Sequence, residues 1–303
     1  MKIGIGSQVV GNPNATLDDL VGEVKAAEAD GFAFFSLPNI FGFDAISALT
    51  VAGRESQRIE LATGVTPTPP RHPFAIAQQA LTAQAACRGR FVLGIGLSHK
   101  IVIENMLGLS YAHPAEQMRE YLEVLMPAVH GKPVKFEGKH YRVQGQLQVA
   151  GGTPVPVVVA ALGPKMLELT GRLADGTATW MTGAKTLGAH TVPTITKAAR
   201  AAGRPAPRII AALPIALTSD PAKAREVANK VFAIYGQLPS YRAMLDREGA
   251  ASPGDVGITG DEAALRAGLA RLRDAGVTHF AASLYPADAS SVERTRAFLK
   301  AEL

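Results

Sequence analysis

Ala160-Ala161-Leu162-Gly163-Pro164-Lys165-Met166 is the segment of this sequence best suited to hold an anion. An apolar run ends there, a glycine lets a ligand approach the main chain, and Pro164 opens a helix where its missing N–H costs nothing. Free amides and the positive end of a helix both favour a phosphate; a plain capped turn is the alternative reading. A second candidate is Gly94-Ile95-Gly96-Leu97-Ser98-His99. As a dinucleotide fingerprint it fails at the third glycine, where His99 stands, and as a nucleophile elbow it fails at Lys100. Ser98 and His99 are neighbours in sequence and do not face each other, so hydrolysis would need a base from elsewhere. What remains is a strand end that presents Ser98 as a hydrogen bonder and His99 as a proton donor, or else a structural histidine.

His72, directly before Pro73, reads as a helix cap. The seven histidines, at 72, 99, 113, 130, 140, 190 and 279, show no ligand spacing, and Cys87 is alone, so neither a catalytic metal nor an internal disulfide is expected. Trp180, Met181 and Phe43 either floor a ring-binding pocket or simply fill space.

The elements that must position these residues are short apolar runs alternating with amphipathic segments along the whole chain, the pattern of strand and helix units around a parallel sheet. Expected strands are Lys2 to Gly6, Phe32 to Leu37, Ile59 to Thr66, Phe91 to Gly96, Val155 to Ala160, Gly176 to Met181, Ile209 to Thr218 and His279 to Tyr285. Thr16 before Leu17-Asp18-Asp19 is an N-cap signal, and Gly31, Gly203 and Gly276 follow expected helix ends. Eight such units suit a single-domain α/β fold over 1–303, a (β/α)8 TIM barrel whose working residues follow the strands. Two insertions are placeable: a hairpin within Val134 to Val149, turning at Gly138, and a helical lid from Gly236 to Gly254 after the seventh strand.

The chain has 303 residues, 47% hydrophobic and 19% charged, enough for one core without disulfides or structural metals. A net charge of +5, with Lys and Arg scattered, speaks against nucleic acid and fits a small anionic ligand. The apolar stretches Val155 to Leu162 and Ile209 to Leu217 fall short of the ~20 residues a bilayer span requires, and the N-terminus lacks a signal-peptide pattern. A cytoplasmic protein acting on a small organic molecule is expected.

The sequence resembles the luciferase-like monooxygenase superfamily, and within it the deazaflavin branch that uses coenzyme F420. The likeness rests on Ile59-Glu60-Leu61-Ala62-Thr63-Gly64-Val65 leading to Arg71-His72-Pro73, on Gly89-Arg90-Phe91-Val92-Leu93-Gly94-Ile95-Gly96, and on Val159 to Met166 with Ala174-Asp175-Gly176. The resemblance implies a non-prolyl cis peptide at Gly64-Val65, forming a bulge behind the cofactor ring. It places that ring against Pro38, Asn39, Val65 and Ser98, with Gly6, Gly64 and Thr66 alongside. The phosphate falls on Ala161, Leu162 and Gly163, flanked by Ala160 and Pro164. Where relatives carry an acid-histidine pair after the second strand, this chain has Asn39-Ile40, which makes His99 the preferred proton carrier.

The implied reaction is hydride transfer between coenzyme F420 and a small organic substrate, reducing a C=C or C=N bond or running the reverse oxidation. Asn39 and Ser98 would bond the ring, and Phe43, Trp180, Tyr241 and Tyr285 would shape the substrate side. A homodimer is implied as well. The competing expectations are an FMN-dependent monooxygenase, a non-catalytic flavin or deazaflavin carrier, and a barrel lyase or isomerase acting on a phosphorylated substrate.

Overall fold

The computed structural model describes all 303 residues. Its strands are β1 Lys2–Gly6, β2 Phe34–Leu37, β3 Glu60–Thr63, β4 Thr66–Pro67, β5 Phe91–Gly96, β6 Val134–Glu137, β7 Arg142–Gly145, β8 Val157–Ala160, β9 Gly176–Trp180, β10 Arg208–Leu217, β11 Ile258–Gly260 and β12 His279–Leu284. The helices are α1 Leu17–Asp30, α2 Ala45–Glu55, α3 Pro73–Ala86, α4 Pro114–Val129, α5 Pro164–Leu173, the single turn α6 Ala184–Thr186, α7 Val192–Ala201, α8 Pro221–Val231, α9 Pro239–Glu248, α10 Glu262–Asp274 and α11 Ser291–Ala301.

Parallel pairing runs β1-β2-β3-β5-β8-β9-β10-β12 and returns to β1, which closes an eight-stranded barrel ringed by helices. All six residues of β5 are buried, because its two faces meet the barrel interior and the helix layer. The interior is filled by Phe34, Ala62, Val92, Val158, Ile210 and Ala281, one from each of six strands, so the barrel is a packed plug. Phe34 occupies the place of a side chain that β1 lacks: a Cβ on Gly4 would lie 2.4 Å from its ring. A second core of 59 residues joins the barrel to the helices.

The local signals act as their chemistry requires. Thr16 and Asp19 form a reciprocal capping box at α1, Gly31 ends that helix at φ 93°, and Pro73 and Pro164 open α3 and α5. His72 caps α3, its Nδ1 accepting the Phe74 N–H at 3.3 Å.

Several boundaries differ from expectation. The second and fifth expected strands each begin two residues late, at Phe34 and Val157. The run Ile59 to Thr66 is two strands, because the Gly64–Val65 peptide is cis and pairing resumes at Thr66 opposite Ile95. That bulge explains the glycines of β5. A Cβ on Gly94 would lie 2.0 Å from the Thr63 carbonyl, and one on Gly96 2.8 Å from Val65. No sequence pattern announces β11, which pairs with the outer half of β10, or the π-helical stretches Ile101–Met106 and Leu187–Thr191.

Both insertions form. The lid comprises a short turn at Ala233–Gly236, α9 and a turn at Pro253–Val256. In the hairpin, β6 and β7 are antiparallel with Phe136 opposite Val143. Its turn rests on Glu120 of α4, a buried carboxylate that accepts the N–H groups of Lys139, His140 and Tyr141 at 3.0, 2.7 and 3.3 Å. Glu120→Ala strands those donors and is expected to cost about 2–3 kcal/mol of stability in urea unfolding; a loss below ~0.5 kcal/mol would show that the turn holds itself. The same carboxylate explains a grouping of Glu116, Glu120 and His140, whose polar atoms lie within 4.8 Å of one another: its oxygens are already committed to the backbone. No helix is long and apolar enough to cross a membrane.

Candidate active site

The seat between β8 and α5 has the form an anion needs. Gly163 is the N-cap of α5 with φ −78° and ψ 155°, and it supplies no capping side chain. The amides of Leu162, Gly163, Lys165 and Met166 donate to nothing within the protein. A Cβ on Gly163 would meet no atom within 4 Å, so the seat is open. From behind, His190 Nε2 donates to the Leu162 carbonyl at 2.8 Å. In a trans peptide the carbonyl and the following N–H point opposite ways, so this bond turns the Gly163 N–H away from His190. His190 comes from the π-helical stretch Leu187–Thr191. Its place in the sequence carries no motif, and only tertiary packing brings it here.

The strands beside this seat carry the other expected cofactor residues. The bulge at Gly64–Val65 follows β3, Ser98 and His99 follow β5, and β5 lies between β3 and β8. Gly6 ends β1, and Pro38 and Asn39 follow β2 on the same rim. Thr66 is fully buried and its hydroxyl has no partner. At Asn39 the Oδ1 accepts the Ala45 N–H at 3.0 Å at the start of α2, and the NH2 group makes no hydrogen bond within the protein. Ser98 and Met181, at the ends of β5 and β9, both have positive φ, 59° and 54°. Non-glycine residues adopt that conformation rarely, and mostly where the surroundings impose it.

A chain of rings crosses this end of the barrel. His99 lies 5.6 Å from Tyr241 of α9, Tyr241 lies 5.2 Å from Tyr235, and Tyr235 lies 5.6 Å from Trp180 at the end of β9. Phe232 continues it at 5.5 Å from Trp180. Sequence reading named Trp180 and Tyr241 but missed Tyr235, Phe232 and Tyr111, whose hydroxyl donates to the Ser98 carbonyl at 3.1 Å. Phe43, half-buried, lies against the main core. Tyr285 is 2% exposed, sits among Ala216, Ala224, Ala228 and Ala287, and donates its hydroxyl to the Ala224 carbonyl under α8; its ring meets the others only through Phe232, at 5.9 Å, so it backs the wall and does not line the mouth.

Burial sets the charge state of this end. It lowers the pKa of His99, which is therefore neutral at pH 7, and raises those of Tyr111, Tyr235 and Tyr241. A histidine held neutral accepts a proton at pH 7 and donates one only when charged at lower pH.

A cleft of about 660 Å³ lies at the ends of β10 and β12, where many barrels bind phosphate. Here its lining sets Asp220, Asp261, Glu262 and Asp288 against Lys223 and Arg294. Asp220 and Asp261 cap α8 and α10 themselves, and Asp288 pairs with Arg294 at 2.8 Å. This carboxylate excess disfavours an anion and leaves the Gly163 seat as the better one.

A closed barrel whose working end joins an open amide seat, a neutral histidine and an aromatic lid defines a (β/α)8 enzyme. The chain matches the luciferase-like monooxygenase family over residues 1–297 and belongs to it. Among curated relatives, the 5,10-methylenetetrahydromethanopterin reductase of Archaeoglobus fulgidus is 33% identical over 160 residues, covering 50% of this chain and 46% of that protein. The match thus spans about half of that relative's length. Among solved structures, the coenzyme F420-dependent tetrahydromethanopterin reductase of Methanopyrus kandleri superposes with a TM-score of 0.82 at 22% identity, covering 100% of this chain and 98% of that one. The oxygenating constituent of 3,6-diketocamphane monooxygenase from Pseudomonas putida, in complex with FMN, superposes at 0.76 with 15% identity, covering 99% and 96%. At those identities the superpositions speak for the fold alone.

Proposed function

We propose that this chain is a coenzyme F420-dependent oxidoreductase that moves a hydride between the deazaflavin and a small organic substrate. One observation carries the reading: three adjacent strands, β3, β5 and β8, lead into the Gly64–Val65 bulge, into Ser98-His99 and into the free amides at Gly163. That order fits a flat ring with a phosphorylated tail. When bound, the coenzyme supplies a ring carbon that carries the hydride and reacts poorly with oxygen. The chain's part is to seat the phosphate on the Leu162, Gly163, Lys165 and Met166 amides, to back the ring with Val65, and to hold a proton acceptor at His99.

The test is titration of the purified protein with coenzyme F420 and with FMN, each followed by its own fluorescence. Saturable quenching of the deazaflavin at lower concentration than FMN is the expected result. Tighter FMN binding, with oxygen uptake by the reduced flavin, would replace the reading with a monooxygenase. Tight deazaflavin binding with no turnover of any carbonyl, alkene or imine tried would leave a carrier.

His190 gives a finer check. His190→Ala frees the Leu162–Gly163 peptide to rotate, and coenzyme affinity is expected to fall about 5–10-fold, the worth of one well-placed hydrogen bond. His190→Gln, which restores a donor, should recover much of it. Equal affinity in the alanine variant would show that the peptide is fixed by α5 alone.

A further inference from the structure

The hydroxyl of Tyr111 reaches back 13 residues to donate to the Ser98 carbonyl at 3.1 Å. Ser98 stands at φ 59°, a left-handed conformation that a residue with a side chain keeps only where its surroundings impose it. The chain on the far side of the peptide is held as well. The His99 carbonyl accepts the Val102 and Ile103 N–H groups at 2.9 and 3.0 Å, at the start of the π-helical stretch Ile101–Met106. That stretch leads into the loop that carries Tyr111: Leu107 N–H donates to the Val102 carbonyl at 3.1 Å, and Leu109 N–H to the Ile103 carbonyl at 2.9 Å. Ile103 is fully buried and pins the stretch to the protein. The chain turns at Gly108, φ 65°, and the Tyr111 hydroxyl closes the circuit on Ser98.

The neighbouring strand ends in the same arrangement. After β8, His190 holds the Leu162 carbonyl, and the next N–H, that of Gly163, donates to nothing in the protein. After β5, Tyr111 holds the Ser98 carbonyl, and the next N–H, that of His99, is free in the same way. In both places a side chain from a later segment fixes one peptide plane at a strand end, and the residue that follows is one the oxidoreductase reading uses. Burial raises the Tyr111 pKa, so the phenol stays protonated and remains a donor through the neutral range.

We propose that Tyr111 is a positioning residue: its hydroxyl fixes the Ser98–His99 peptide and thereby sets where the His99 imidazole stands at the mouth. Without that bond the peptide is free to rotate, Ser98 relaxes from its left-handed conformation, and His99 spreads over positions that a proton transfer does not tolerate. The phosphate seat after β8 is untouched by this change. The proposal deepens the oxidoreductase reading and rests on it for the reaction His99 serves, whereas the placement of His99 is measurable without any coenzyme.

Tyr111→Phe keeps the ring and removes one oxygen. Ser98-His99 is the only Ser-His pair of the sequence, so protein labelled with carbonyl-13C serine and 15N histidine gives a single carbonyl–nitrogen cross-peak for this peptide. In Tyr111→Phe the carbonyl signal is expected to move upfield, as for a carbonyl that loses its donor. The His99 ring signals, identified by their absence in His99→Ala, should broaden or double while those of His190 hold still. Turnover is expected to fall about 5–10-fold, the worth of one well-placed hydrogen bond, with coenzyme F420 affinity within twofold of the parent. Because Tyr111 acts through His99, the same substitution made in His99→Ala should change turnover less than twofold. An unmoved cross-peak, a 5–10-fold loss in both backgrounds, or a coenzyme affinity that falls along with turnover would overturn the assignment. If coenzyme F420 fails to bind the parent, the functional reading falls, and the cross-peak and ring signals still decide whether Tyr111 places His99. If the coenzyme binds and those signals do not move, only the positioning role falls.

Discussion

Gly163→Asp is expected to make the protein slightly more stable and to cost it at least 100-fold in affinity for coenzyme F420. The two effects have opposite signs because they come from the same free amides. Gly163 has φ −78°, which any residue adopts, and a Cβ there meets nothing within 4 Å, so the substitution brings no strain. An aspartate at the N-cap accepts the amides of Lys165 and Met166, and a side chain in place of glycine restricts the unfolded chain. Together these contribute about 0.5–1 kcal/mol, or roughly 1–3 °C in melting temperature for a chain of this size. The same carboxylate then occupies the seat and repels a second anion. Losing the helix-end contacts and adding like-charge repulsion accounts for about 3 kcal/mol, hence the factor of 100. Thermal melting and fluorescence titration on one preparation read both quantities. A stable variant that binds the coenzyme as well as the parent would remove the phosphate from this seat.

Much of the fold is legible because local chemistry and tertiary structure agree. The uniform apolar runs of β5 and β8 announce strands covered on both faces, and Thr16, Gly31, Pro73 and Pro164 mark helix ends whose caps then form. β11 escapes because Ile258, Thr259 and Gly260 have no strand pattern of their own; the outer half of β10 recruits them. The site is legible where the chain itself builds it, at Leu162 to Pro164 and at Ser98-His99. It is illegible where distant segments meet. His190 reaches Leu162 across 28 residues through a π-helical turn, and Tyr235 joins Trp180 only because the lid folds back.

Tyr285 shows the limit of the strand-end rule in particular. It stands directly after β12, where a barrel presents its working residues, yet the chain turns and hides the phenol beneath α8. The rule identifies the end of the barrel, and the side chain's direction still depends on the loop that follows. Asn39 makes the same point. Its type suits bonding to a ring, and the loop commits part of it locally: the side-chain oxygen accepts the Ala45 amide at the head of α2, which orients the free NH2 group.

His99→Ala is expected to lower turnover about 10²–10³-fold while coenzyme affinity stays within twofold of the parent. His99 follows the central strand of the three that build the site, and its ring nitrogens make no bond to the protein, so its removal takes away a proton carrier and leaves the phosphate seat intact. The pH dependence fixes its role. Burial lowers the His99 pKa from 6.5, so the imidazole is uncharged through the neutral range. In the oxidising direction the neutral ring takes the substrate's proton: the rate rises with pH, levels off once His99 has lost its own proton, and has its midpoint below 6.5. In the reducing direction the charged ring is needed, and the rate rises as pH falls through that same midpoint. Both limbs should vanish in His99→Ala, measured as kcat/KM against pH with the coenzyme held saturating. A limb that persists unchanged in the variant would transfer the proton step to another group, and the Tyr241 phenol, 5.6 Å away between ring centres, is the one in reach.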